Sequence, residues 1–256
     1  MTNCYTISEI GPARNDDEFS RYDKDTQEDS LIVDLDKKIF IIADGLSSVN
    51  KKRGKGKLAS ESAVNTAYDF LARMDPNKRI NFKTVRRAFN ETNNAIINRT
   101  EGFGGTTLDI VIVGCDHAIF GHAGDARIYH ATTTKARSKE RIVKQLTKDH
   151  GDFTGQDNFM GIPNYNVDTG IVHLKDNDLL ALCTDGVHKF VNRDKFQKML
   201  ASMYTPEFIG QQLAKSIQEE MTAWERETDN FSLIVYRHTT PTKTHEQAPV
   251  YNNTPR

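Results

Sequence analysis

Short apolar runs bounded by turn residues alternate along this chain with longer stretches whose apolar positions recur every three or four residues, a pattern of strands mixed with helices. Residues 4–10 alternate as a first strand, which Gly11-Pro12 breaks. Residues 30–33 and 39–43 then make a hairpin across Asp34-Leu35-Asp36-Lys37-Lys38. Ala59, Ala63, Ala67, Phe70 and Leu71 keep helical spacing until Asp75-Pro76, and Phe82, Val85, Phe89, Ile96 and Ile97 mark one face of a second helix. Both stripes are expected in the core. Strands at 108–113, 118–123, 128–130, 142–146 and 171–174 follow in antiparallel succession, and residues 151–168 read as loop. Ile209, Leu213, Ile217, Met221 and Trp224 give a C-terminal helical face, and residues 231–236 a last strand. The order is two helices, a run of strands, two helices and a final strand.

Two of the apolar runs end abruptly in Asp-Gly, at Asp44-Gly45 and at Asp185-Gly186, and a third strand is opened by Asp229-Asn230. Each pair alone is an ordinary turn dipeptide. Three acids at the mouths of buried strands nevertheless suggest one shared site. Asp29 enters the first hairpin where Asp44 leaves it, so antiparallel pairing puts those two acids at the same end.

Composition narrows the partners. The 256 residues suit one large domain, and Lys and Arg total 34 against 35 Asp and Glu, a net charge of -1 that supplies no basic field for nucleic acid. Cys4, Cys115 and Cys183 lie far apart, which fits reduced thiols in a cytoplasmic protein better than a disulfide framework. No apolar run reaches the length of a membrane span. Residues 51–57, Lys-Lys-Arg-Gly-Lys-Gly-Lys, read as a solvated connector, and residues 239–256 as a polar, disordered tail beyond a domain at 1–238.

Carboxylates without a His or Cys cluster at metal spacing point to hard divalent cations such as Mg2+ or Mn2+. His117, His122, His130, His173, His188 and His238 lack helical metal-site spacing and read as surface or core histidines, whereas His150 is ambiguous. Two hard ions roughly 3.5–4 Å apart can acidify a shared water and align it with phosphorus. Neither a Cys-x5-Arg cradle nor a Gly-x-Ser-x-Gly elbow offers another nucleophile. A phosphate also calls for a fixed cation, and Arg14, just after the first strand, is the candidate.

The order Asp44-Gly45, Gly105-Thr106-Thr107, Gly124-Asp125-Ala126-Arg127, Leu146-Thr147-x-Asp149-His150, Cys183-Thr184-Asp185-Gly186 and Asp229-Asn230 resembles the metal-dependent, protein phosphatase 2C-like serine/threonine phosphatases, in their bacterial branch. The resemblance implies an α+β fold, a four-layer αββα sandwich of two antiparallel β-sheets flanked by helices. It implies hydrolysis of phosphoserine and phosphothreonine on proteins by a water activated at two Mn2+ or Mg2+ ions, in a monomeric signalling enzyme with no nucleic-acid or membrane partner. It further implies that Asp44, Asp185 and Asp229 are metal ligands, that the Gly45 carbonyl completes one shell and that Asp125 lies near a third, weaker metal position. Catalytic weight falls on Arg14, Asp44 and Asp185.

The chain departs from the family in three places. Leu46-Ser47-Ser48 supplies neither the glycine pair nor the histidine that usually follows the first Asp-Gly, Ala126 replaces a usual serine, and only ten residues separate His150 from Gly161, where many bacterial members carry a longer flap. Two triplets, Asn15-Asp16-Asp17 and Gln27-Glu28-Asp29, compete to supply the early metal ligand; Asp29 is favoured because it opens the hairpin directly. A catalytically silent relative that binds a phosphoprotein is the competing reading, opposed by retention of acids that would repel one another without metal.

Overall fold

Hydrophobic runs become strands in nearly every expected place. The structure, a computed structural model, describes residues 3–11, 26–46, 48–49, 52–53, 55–133, 140–150, 158–223 and 229–240. Strands β1 (Cys4–Glu9), β2 (Asp29–Asp34) and β3 (Ile39–Asp44) precede a short ribbon of β4 (Ser48–Val49) and β5 (Lys52–Arg53). Helices α1 (Gly56–Ala72), α2 (Pro76–Arg79) and α3 (Phe82–Thr100) follow. Then come β6 (Leu108–Val113), β7 (His117–Ala123), β8 (Arg127–Thr132), β9 (Ile142–Gln145), β10 (Asp168–His173) and β11 (Leu179–Cys183). The chain continues through α4 (Asp185–His188), α5 (Arg193–Ala201) and α6 (Pro206–Ala223) to β12 (Phe231–Arg237).

Two five-stranded sheets result, ordered β1-β12-β11-β8-β9 and β10-β7-β6-β3-β2, with every pair antiparallel. Alternation along each strand builds the layers. From β3, Ile39, Ile41 and Ala43 pack with Ala63, Ala67, Leu71, Val85 and Phe89 of α1 and α3, while Phe40 and Ile42 turn inward to meet Leu180, Leu182 and Ile234 of the other sheet. On the far side, Leu179, Ala181, Leu233 and Val235 pack with Phe196, Leu213 and Ile217 of α5 and α6. Central strands are therefore apolar on both faces, which explains why they read as unbroken runs. The layers are the expected αββα sandwich.

Several details differ from the sequence expectation. Phe82, at the first position of α3, lies one turn before the first buried apolar position and is exposed rather than in the core. Within the basic segment at 51–57, read as a connector, Lys52–Arg53 form β5 and Gly56-Lys57 start α1. Strand β10 begins at Asp168, inside the segment read as loop, because it is an edge strand whose polar first residues hide the pattern. Trp224 and residues 241–256 lie outside the described residues, whereas the Thr240 N–H donates to Asp176 Oδ1 at 3.1 Å. No helix among the described residues is long and apolar enough to cross a membrane.

Candidate functional site

Register sets the first pair of acids: Asp29 stands directly opposite Asp44 at one end of the β2–β3 hairpin. The second pair comes from the facing sheet. Strand β11 ends at Cys183 opposite Leu233 of β12, so Asp185, just after β11, and Asp229, just before β12, emerge at one end. Asp185-Gly186, by composition a turn dipeptide, is the start of α4, and Asp185 occupies its first turn. Gly186 is required here, since a Cβ would meet the Asn230 carbonyl oxygen at 1.9 Å.

Thr184 ties the two sheets together. Its Oγ1 donates to Asp29 Oδ2 at 2.8 Å and accepts the Ser232 N–H at 2.9 Å. Beside it the Glu28 N–H donates to Asn230 Oδ1 at 2.9 Å, and the Asn230 N–H to Asp229 Oδ1 at 3.0 Å. Asp44 is held by its N–H donating to Thr107 Oγ1 at 2.9 Å and its carbonyl accepting the Thr107 N–H at 2.8 Å. Asp125 lies in the connection that carries the chain from β7 in one sheet to β8 in the other. His188 Nε2 donates to the Asp125 carbonyl at 3.0 Å, which fastens that connection to α4.

Charge is crowded at this end. Burial pushes the Asp29 carboxyl up to about 7, hydroxyls of Ser232 and Thr184 oppose the shift, and Asp185 and Asp229 add to it. Asp44 is raised well above the ordinary range by burial and then by Asp185 and Asp29. Asp125 is raised to about 6 by burial and by Asp185, against the pull of Lys189. Asp185 goes down instead: burial acts to raise it, and the Lys189 ammonium reverses the effect. The Lys189 Nζ hydrogen-bonds Asp185 Oδ2 and lies 4.0 Å from Asp229 Oδ2.

These residues fit hard divalent cations in kind. The side-chain donors are all oxygen, their mutual repulsion asks for positive charge, and Asp29 Oδ1 is buried without a hydrogen-bond partner. Among the described residues no three carboxylates, imidazoles or thiols already converge on one ion position. Lys189 reaches into the group from α4.

Asp29, Asp44, Gly45, Asp125, Asp185 and Asp229 are thus brought to one end of the sandwich. Arg14 lies outside the described residues, as do Asp16 and Asp17. His150 is a clamp here, with Nε2 3.0 Å from Asp168 Oδ2 and Nδ1 accepting the Gly124 N–H at 3.3 Å. Sequence reasoning quoted Thr184 in a motif without a role and missed Ser232 and Lys189, although the last sits four residues after Asp185, the spacing at which helix side chains meet. It also missed the buried pair in which His122 Nδ1 lies 2.6 Å from Asp109 Oδ1.

Two antiparallel sheets thus gather their carboxylates at one shared end, a placement suited to hard cations. A sequence model of the family described as Protein phosphatase 2C matches residues 18–222. The serine/threonine phosphatase stp of Listeria monocytogenes is 26% identical over 199 residues, covering 65% of this chain and 73% of that protein. Among solved structures, the Mycobacterium tuberculosis serine/threonine phosphatase PstP/Ppp superposes with a TM-score of 0.71 at 17% identity, over 92% of this chain and 98% of the other. The catalytic domain of the serine/threonine protein phosphatase PstP in complex with two manganese ions gives 0.72 at 18% identity, over 92% and 97%. The chain belongs to the protein phosphatase 2C family, the metal-dependent serine/threonine protein phosphatases.

Proposed function

We propose that Asp29, Asp44, the Gly45 carbonyl, Asp185 and Asp229 hold two manganese or magnesium ions, with Asp125 at a third, weaker position, and that the enzyme removes phosphate from phosphoserine and phosphothreonine of proteins. The observation that carries this reading is Thr184 bridging the two sheets onto Asp29 while Asp29 faces Asp44 in register. When bound, such ions supply an acidified water and Lewis acidity at the phosphoryl oxygens. Asp44 and Asp185, which interact directly at the centre of the group, would orient that water from the ions they hold. Arg14 is assigned to the phosphate, where a guanidinium fork matches two oxygens. The water oxygen bonds to phosphorus as the P–O bond to the serine or threonine breaks, and of the water's two protons one ends on the departing hydroxyl and the other on the inorganic phosphate.

A polar cleft of about 820 Å³, lined by Arg86, Lys148, His150, Asn158 and Tyr165 among others, opens next to the Gly124-Asp125 connection and is assigned to residues flanking the phosphate. The three cysteines are free, which accords with a reducing cytoplasmic compartment, and a monomeric signalling enzyme is the simplest form of this reading. Turnover of a phosphothreonine peptide and of a chromogenic phosphomonoester, each titrated with Mn2+ and then with chelator, tests it. Both activities should appear with metal and vanish with chelator; turnover that survives exhaustive metal removal would overturn the reading. Arg14→Ala should raise KM more than it lowers kcat, because a fork that grips ground and transition states alike contributes uniform binding.

A further inference from the structure

Lys189 presents a cation to the same carboxylates that are assigned to metal. Its backbone N–H donates to the Asp185 carbonyl at 2.8 Å, so it follows α4 one turn after Asp185 and its side chain is delivered back onto that acid. An acid four residues ahead of a lysine is an ordinary helix pair when both are exposed. This pair is different in two respects. Asp185 is buried at 9% exposure, and the same ammonium reaches Asp229, which arrives from the far end of the excursion through α5 and α6. The lysine itself is half exposed, so it can swing away into solvent.

We propose that Lys189 is a tethered counter-cation of the acidic centre: it neutralises Asp185 and Asp229 in the metal-free protein and must leave Asp185 before a divalent ion can take that oxygen. The inference rests on the proposed assignment of Asp185 and Asp229 as metal ligands. Two consequences follow from linkage, since a ligand already bound to the competing state weakens the incoming one. The metal-free fold is steadier than its clustered acids would otherwise permit, and the affinity for divalent cations is set lower than the same acids would give without the lysine. Metal occupancy is thereby tuned to higher cation concentrations, and the chain carries that setting in one side chain.

The test compares wild type with Lys189→Met, which keeps the length and removes the charge, and Lys189→Arg, which keeps the charge. Mn2+ binding is followed by calorimetry, and melting temperature is measured without metal. Lys189→Met should bind Mn2+ at least about tenfold more tightly, within the usual range of coupling between two sites, and should melt lower than wild type when metal-free. Lys189→Arg should stay near wild type in both. A lysine that merely braces α4 would lower the melting temperature and leave Mn2+ affinity alone. Equal Mn2+ affinity in wild type and Lys189→Met, with both folded, overturns the counter-cation role while leaving the metal site standing. Absence of Mn2+ binding in every protein overturns the proposed function, and this inference with it.

Discussion

Asp29 meets two opposed demands: one carboxylate oxygen is satisfied by Thr184, and the other is buried without a well-formed hydrogen bond, although the Ser232 hydroxyl acts on the carboxyl. A charged group left so costs stability until a proton or a further partner arrives. Asp29→Asn should therefore lower turnover at fixed Mn2+ by roughly a hundredfold or more, beyond the tenfold to hundredfold typical of groups that merely support a ligand, and Asp17→Asn should leave it intact. Equal losses in the two variants, measured by phosphatase assay on folded protein, would hand the role back to the earlier triplet. A second residue-scale prediction concerns His122, fully buried against Asp109. Burial acts to lower its pKa, but the Asp109 carboxylate prevails and raises it, so the charged imidazolium is favoured on folding. That contribution is complete below the unfolded histidine value and is lost as pH rises through the raised folded one. His122→Asn should cost about 3 kcal/mol near pH 6, the scale of a broken buried pair, with the gap to wild type narrowing in chemical denaturation as pH rises through the raised folded value; a gap that widens with pH would refute the pairing. Asp44, Asp185 and Asp229 were legible because a carboxylate at the mouth of an apolar strand adds nothing to the packing of that strand and so points to a partner beyond it. The Asp109–His122 pair was also within reach, since the two residues lie at equal distances on either side of the Cys115-Asp116 turn and the register pairs them. Arg14 had only its position after the first strand to recommend it.

At the scale of elements, periodicity located almost every strand and helix, and erred where local chemistry gave two readings. Asp185-Gly186 has the composition of a turn, yet tertiary packing makes it the first turn of α4, with β12 pressed against Gly186. The glycine is there for space and not for a left-handed backbone, a requirement invisible until the neighbouring strand is known. Gly186→Ala must push Asn230 away, and Asp229 with it. Overpacking of this kind typically costs about 1–3 kcal/mol, so the variant should melt several degrees lower and also lose Mn2+-dependent turnover. Retention of wild-type activity with only a lower melting temperature would mean that Asp229 tolerates the shift and does not need its present place. Ser60 shows the same coupling of element to site from the opposite side, since its Oγ donates to the Glu28 carbonyl and so fixes α1 next to the start of β2. Nothing in the helical spacing of α1 distinguishes Ser60 from its buried alanine neighbours, which is why that link could be found only in three dimensions.

The whole molecule is two sheets whose acids face one another across a shared end. Which strand belongs to which sheet was not legible, because β3, β6, β11 and β12 bury both faces and an unbroken apolar run does not say which face meets which layer. The pairing of β1 with β12 joins the two ends of the described chain, and no turn signal reports a contact at that separation. The resemblance of the ordered motifs supplied the sandwich that periodicity could not. Division of the acids between sheets has a mechanical consequence: Asp29 and Asp44 belong to one sheet, and Asp185 and Asp229 flank strands of the other. Ions held by both pairs would fasten the sheets together, in addition to the hydrogen bonds through Thr184, Glu28 and Asn230 that join them. Saturating Mn2+ should then stabilise the fold as a whole. At a free concentration of about 100 times Kd the gain is about 2.7 kcal/mol, which for a chain of this size corresponds to a rise of roughly 5–10 °C in melting temperature. Chelator should reverse it, and amide exchange should slow together at the site ends of β3 and β12, one strand from each sheet. Asp44→Asn and Asp229→Asn should each abolish most of the rise, although the two residues lie in different sheets. Slowing confined to one sheet, or a rise that survives either substitution, would mean that the metal is held by a single sheet and that the two pairs of acids do not form one centre.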